Sequence, residues 1–121
     1  MARFRPSAPF NVPIILLAPF YEKVKGTEKK TFPLPDLEHP GDSLFYGSFR
    51  TFGGTEMTQN DLYLVVDTAI VETWYRPDIT SDCRIYLTDT GERYEVVGRP
   101  ENIQMRNQYL RFKVKKVDGG A

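Results

Sequence analysis

The stretch Glu72-Thr-Trp-Tyr-Arg-Pro-Asp-Ile-Thr-Ser-Asp-Cys-Arg-Ile85 decides how this chain is read. A β-prone run ends in Trp74-Tyr75, breaks at Arg76-Pro77-Asp78, and gives way to a second strand starting at Cys83. Proline has no amide hydrogen for a sheet ladder and pushes Arg76 toward an extended conformation, so Pro77 ends the first strand. Upstream, the β signal reaches back to Leu62 through Val, Ile, Thr and Tyr, with Asp67 a candidate bulge position. Downstream, Cys83–Leu87 alternates. Thr88-Asp-Thr-Gly-Glu92 then offers a turn with Gly91 free to take positive φ, and Arg93–Val97 returns as the second arm of a hairpin.

Further out the same pattern repeats. Gly98-Arg-Pro-Glu-Asn102 reads as another break. Tyr109–Val117 then alternates strictly, with Leu110, Phe112 and Val114 on one face and Arg111, Lys113 and Lys115 on the other, so one face is buried and one solvated. Toward the N terminus, Leu44–Phe52 is aromatic and β-prone, Gly53-Gly54 interrupts it, and Thr55–Asp61 is polar. Residues 13–25 form one or two strands, Gly26–Lys30 reads as a polar turn, and Thr31-Phe32 resumes a strand before Pro33. Pro33–Ser43, with three prolines and a glycine, reads as an exposed loop. Residues 1–12 read as a flexible arm that a neighbour must order, and 118–121 as a flexible tail.

No segment holds a helical period; turns are expected at 56–61 or 78–82. The expectation is one all-β domain over 1–121: a small antiparallel β-barrel of SH3/OB-like size, or a sandwich, with long loops.

Composition narrows the function classes. The chain has 121 residues, enough for one real core, and 16 basic residues against 16 acidic ones give a formal net charge of zero. A protein that lives on a phosphate backbone needs a basic excess, so DNA binding is not the expected main task. The single cysteine, Cys83, excludes an intramolecular disulfide framework. The longest apolar run, Ile14–Ala18, lies between Pro13 and Pro19 and falls far short of the roughly 20 residues of a membrane helix. Arg3 and Arg5 precede it without the length or cleavage site of a signal peptide, so no membrane association is expected.

Catalytic and metal chemistry lack supply. One histidine, His39, and one cysteine cannot build a structural zinc site, and Asp36, Glu38 and Asp42 beside His39 read as solubilising loop residues. Cys83 reads as a small packed residue, no Gly-x-Ser-x-Gly elbow is present, and Gly53-Gly54 lacks the lysine of a phosphate loop. Asp67 and Glu72 stand five apart on a strand and so face opposite sides. The chain is therefore not expected to be an enzyme or to hold a cofactor.

Two clusters have competing readings. Phe45, Tyr46, Phe49, Arg50 and Phe52 could stack bases on a barrel face, or alternate between filling the barrel and lining an interface. Neutral charge favours the second. Arg76, Asp78, Asp82 and Arg84 either brace a corner by ion pairing or dock a partner, and Trp74 is a core or interface anchor.

Several islands in register carry a resemblance. They are Gly53-Gly-Thr-Glu56, Asp67–Ile79, Asp82-Cys-Arg-Ile85, Tyr94-Glu95, Pro100-Glu-Asn-Ile103, Arg106-Asn-Gln-Tyr-Leu110, Phe112-Lys-Val114 and Gly119-Gly-Ala121. With them, from about residue 44 onward, the chain resembles the head-closure proteins (head-tail joining, head-completion or stopper proteins) of long-tailed bacteriophages and prophages of low-GC Gram-positive bacteria. Pro9–Pro13 and Tyr21–Val24 resemble that family more weakly.

The resemblance implies a small β-barrel that is monomeric or weakly associated alone. In the virion, assembled in the host cytoplasm, it would form a homo-oligomeric ring at the head-tail connector. A head-tail adaptor protein would sit above it and a tail-terminator or tail-completion protein below. Genomic double-stranded DNA would pass through without specific binding. It also implies a gating loop, best matched by Ser48–Asp61 and in particular Ser48, Arg50, Phe52, Gly53, Gly54, Thr55 and Glu56, with Pro33–Ser43 the competing segment. Trp74, Arg76, Asp78 and Arg84 are the candidate subunit or partner interface. A neighbouring adaptor or tail-completion protein, or a nucleic-acid-binding barrel, are the alternatives.

Overall fold

The computed structural model describes residues 4–6, 8–59 and 62–117, with backbone alone for 52–59 and 62–67. Eight strands carry the fold: β1 (Val12–Leu17), β2 (Phe20–Val24), β3 (Thr27–Thr31), β4 (Leu44–Gln59), β5 (Leu62–Trp74), β6 (Arg84–Leu87), β7 (Arg93–Asn102) and β8 (Tyr109–Lys116). Six of them close an antiparallel barrel in the order β1-β4-β5-β8-β7-β6, and β2 and β3 form a separate two-stranded hairpin. The all-β barrel expected from the sequence is the architecture observed. Among the described residues no helix is long and apolar enough to cross a membrane.

The period of two builds the core. Leu110, Phe112 and Val114 of β8 point inward with Ala69 and Val71 of β5, Tyr94 and Val96 of β7, and Ile85 and Leu87 of β6. Strand β1 departs from alternation. Ile14 and Leu16 belong to the core cluster, yet Ile15 and Leu17 are buried as well, so the strand is covered on both faces and reads as an unbroken apolar run. Beyond β3 the chain returns along the wall: the Arg84 guanidinium lies 4.2 Å from the centre of the Phe32 ring, and Arg76 donates a 2.8 Å hydrogen bond to the Asp42 carbonyl.

The passage from Glu72 to Ile85 resolves into a strand, two consecutive tight turns and a strand. Ile79 N–H donates to the Arg76 carbonyl and Cys83 N–H to the Thr80 carbonyl. Proline supplies the fixed φ favoured at the second position of the first turn. The purpose of the double turn is Ile79, which it drives into the core cluster beside the buried Cys83.

Three sequence readings need correction. The turn near Gly26 is confined to Lys25 and Gly26, both at positive φ, and Thr27–Thr31 is strand β3, paired residue for residue with β2. The break at Gly98–Asn102 is a register shift inside β7, which resumes pairing at Glu101↔Arg111 and Asn102↔Leu110. Gly53-Gly54 does not end its strand either. β4 pairs with β5 up to Thr51↔Ala69, shifts register, and continues from Gly54↔Asp67 to Gln59↔Leu62. Three steps on β4 match two on β5 across the shift, so the extra residue is accommodated in β4 opposite the neighbourhood of Asp67.

Candidate functional site

The segment expected to be a gating loop is largely a strand. Ser48 and Arg50 lie on β4 where it pairs with Glu72 and Ile70 of β5. Phe52, Gly53, Gly54, Thr55 and Glu56 continue the same strand, and the connection at 60–61 lies outside the described residues. The neighbours change along the way. β1 pairs with β4 only over Leu44–Gly47, and β8 pairs with β5 only over Thr68–Trp74. From Gly54↔Asp67 to Gln59↔Leu62 the two strands, among the described residues, pair only with each other, a two-stranded ribbon six residue pairs long. At the usual rise of a strand it spans roughly 20 Å.

At the barrel end of β4, Gly47 pairs with Val12 on one side and Thr73 on the other. A Cβ there would meet the Glu72 carbonyl oxygen at 2.7 Å and the Thr73 Cβ at 3.2 Å. Only glycine lets the strands approach this closely. Next to it the Thr73 hydroxyl, fully buried, donates a 2.7 Å hydrogen bond to the Tyr46 carbonyl.

The interface candidates do not form one patch. Arg76 and Asp78 are together: Nε and Nη2 of Arg76 donate to the two carboxylate oxygens of Asp78 at 3.0 and 2.7 Å. Those bonds hold the Asp78 carboxyl below the ordinary carboxylate range, against the opposing effect of partial burial. Arg76 also lies over the Phe45 ring at 5.4 Å, so the pair braces the corner. Arg84 belongs to β6, the third strand from β5 in either direction around the barrel. Trp74 ends β5 and keeps 57% of its surface exposed, so it is no core residue.

Around Trp74 the structure assembles what sequence reading missed. Trp74 and Tyr109, a registered pair across β5 and β8, stack with ring centres 5.3 Å apart. Phe10 meets Trp74 edge-on at 5.4 Å and Phe4 meets Tyr109 at 5.5 Å, so the N-terminal arm lies on the barrel's own wall. A cleft of about 520 Å³ separates that arm from Ser48, Glu72 and Arg111. Within it, Oε2 of Glu72 accepts hydrogen bonds from Arg111 Nε at 2.8 Å and Nη2 at 2.7 Å.

Three of the four basic side chains of β8 are answered by glutamates. Arg111 lies between Glu72 on β5 and Glu101 on β7, its register partners on either side. Lys115 pairs with Glu95 at 3.0 Å and Lys116 with Glu92 at 2.8 Å. The Lys116 hydrogen bond holds the Glu92 carboxyl below its usual range. Cross-strand pairing of opposite charges contributes only modestly to stability, but it leaves this wall close to neutral.

The remaining chemistry is sparse. Asp36, Glu38 and His39 bring possible donor atoms within 4.8 Å of one another, all exposed. Asp36 is already engaged, accepting from the Glu38 N–H at 3.0 Å and contacting His39 Nδ1 at 3.3 Å. Cys83 is buried, its thiol 3.5 Å from both the Thr80 hydroxyl and the Asp78 carbonyl. Phe45 is in the core and Phe49 packs against it, edge-on to Tyr94 at 5.1 Å, while Tyr46 faces out. Of the aromatics weighed as a stacking platform, these two fill the barrel instead. Neither a family model nor a curated protein sequence matches the chain.

Proposed function

We propose that this chain is a non-enzymatic structural subunit of a phage head-tail connector, and within that class a head-closure (stopper) protein. It docks beneath the portal-adaptor complex after DNA packaging. Copies join in a ring in the virion, the ring closes the DNA exit channel, and its lower face receives the tail. The observation that carries this reading is the β4–β5 ribbon, which leaves a closed barrel and runs on for six residue pairs without a third strand among the described residues. Two strands alone are marginal in water, so such a ribbon suits an element that orders or rearranges against neighbours. The gate of the family is here read as this ribbon rather than as a loop.

The charge pattern supports the same role. A channel wall that must let a duplex slide past cannot present unpaired cations to its phosphates. Of the four basic side chains of β8, three, Arg111, Lys115 and Lys116, are each matched by a glutamate, and Lys113 stands opposite Ile70 and Val97. The nucleic-acid-binding alternative loses its platform with Phe45 and Phe49 turned inward. The adaptor or tail-completion alternative shares the virion setting and differs in the layer occupied.

Particles assembled without this protein should package DNA and then lose it. Particles carrying a variant with residues 54–67 replaced by a short turn should form the ring and still leak. Particles that lack the protein yet retain their genomes and accept tails would overturn the stopper reading.

A further inference from the structure

The N-terminal arm holds the barrel by rings rather than by sheet pairing. Its two anchors are Phe4, edge-on to Tyr109 at 5.5 Å and under the Arg111 guanidinium at 5.3 Å, and Phe10, edge-on to Trp74 at 5.4 Å and to Tyr109 at 6.0 Å. Pro6 and Pro9 lie between the anchors and bias that segment toward an extended path. The Phe4 amide donates a 3.3 Å hydrogen bond to the Gln104 side chain, and the first sheet partner after the arm is Val12, opposite Gly47. Asn11, exposed, is the joint between arm and barrel.

The arm fits its own barrel incompletely. It bridges the 520 Å³ cleft instead of filling it, and Trp74 stays 57% exposed with two rings already against it. A shelf of stacked Trp and Tyr is the kind of surface that takes proline-spaced aromatic segments, because rigid rings bury large area at little entropic cost.

We infer that the Trp74–Tyr109 shelf is an exchange site that takes the Phe4–Phe10 arm of a second copy of this chain in place of its own. The segment seated on the shelf is the chain's own arm, so the occupant's chemistry is already given. Contacts made within one chain can be made identically between two; only the path through Asn11 changes, which makes exchange of an identical element a low-cost route to assembly. Each copy then lends its arm to the next, head to tail, the arrangement that generates rings when its rotation closes. In an assembly the effective concentration of a neighbouring arm reaches the millimolar range, which lets it compete with the chain's own tethered arm. This goes beyond the stopper reading and is separable from it, since exchange is a property of the purified chain whatever particle it serves.

Trp74 is the single tryptophan, so the shelf reports on itself. The recipient is the F4A/F10A double variant, full length, with its shelf intact and its arm anchors gone. The titrant is the W74A variant, which keeps the arm and emits no tryptophan signal. All emission then comes from recipient shelves. The expected result is a saturable change in tryptophan emission with a heterodimer in native mass spectra, and binding weaker by roughly tenfold or more when the titrant also carries F4A/F10A, through loss of the ring contacts. Should W74A fail to fold by circular dichroism, W74L replaces it with apolar bulk retained. Emission that stays flat to the solubility limit, or that responds equally to both titrants, would overturn the exchange.

Discussion

The two ends of strand β5 are built under different rules. From Thr68 to Trp74 it is flanked by β4 and β8, lines the core with Ala69 and Val71, and runs into a corner fastened by Arg76, Asp78 and the inserted Ile79. From Leu62 to Asp67, among the described residues, it pairs with β4 alone. One strand thus passes from a closed barrel, where it is paired on both edges, to a ribbon where it is paired on one. The barrel end is expected to open only with the whole domain, and the ribbon end to open by itself. That division suits a proposed gate: a moving element attached to a frame that does not move with it.

The largest test strikes the frame. Phe112 is buried in the core opposite Val71, and Phe112→Ala should cost about 3–5 kcal/mol in chemical denaturation. Native-state hydrogen exchange then separates the two ends of β5. Amides at Val71 and its neighbours should lose protection in step with that cost. Amides over 63–66 should exchange early in both proteins and be little changed, since they open locally. Ribbon amides that track the global stability in wild type and variant would erase the contrast.

A smaller effect is expected within the barrel, where β4 last pairs with β1. Gly47→Ala places a Cβ 2.7 Å from the Glu72 carbonyl, a backbone atom that cannot swing aside, so β4 and β5 must part locally. The cost should be about 1–3 kcal/mol, the range for overpacking a well-fitted site. The sharper readout is the β4–β5 pairing beside the clash, where amides over Val71–Thr73 should exchange faster than the global loss explains. Amides there that follow the global loss alone would mean that the strain is spread through the whole barrel.

How much of this was legible beforehand follows from what each element buries. β8 and the β6–β7 hairpin were readable because Leu110, Phe112 and Val114, or Ile85 and Leu87, alternate against one core, and Gly91 takes the positive φ expected of its turn. β3 was not, because Thr27–Lys30 is exposed on both faces and leaves no hydrophobic period. β4 looked broken at Gly53-Gly54 because a glycine pair in isolation signals a turn, whereas here the partner strand continues and the extra residue becomes a register shift. Of the site, the Arg76–Asp78 brace was visible as a local motif. The shelf was hidden, since Phe4 and Phe10 meet Trp74 and Tyr109 across most of the chain, and nothing local in a proline-rich arm announces where it will lie.

The smallest expected effect tests the fastened end by pH. Hydrogen bonds from Arg76 lower the Asp78 carboxyl in the folded state, so Asp78 binds its proton less readily when folded than when unfolded. Its stabilising contribution is therefore fully present above the unfolded aspartate range, near pH 4, and is lost as pH falls through the lower folded value. Asp78→Asn should be slightly less stable than wild type at neutral pH, by no more than about 1 kcal/mol because the carboxylate is half exposed and solvent screens it. The difference should narrow as both proteins are taken below pH 4, where wild-type Asp78 also loses its charge. A gap that stays constant across that range would assign the corner's rigidity to Pro77 and the buried Ile79 rather than to the ion pair, and would locate the fastening of β5 in packing alone.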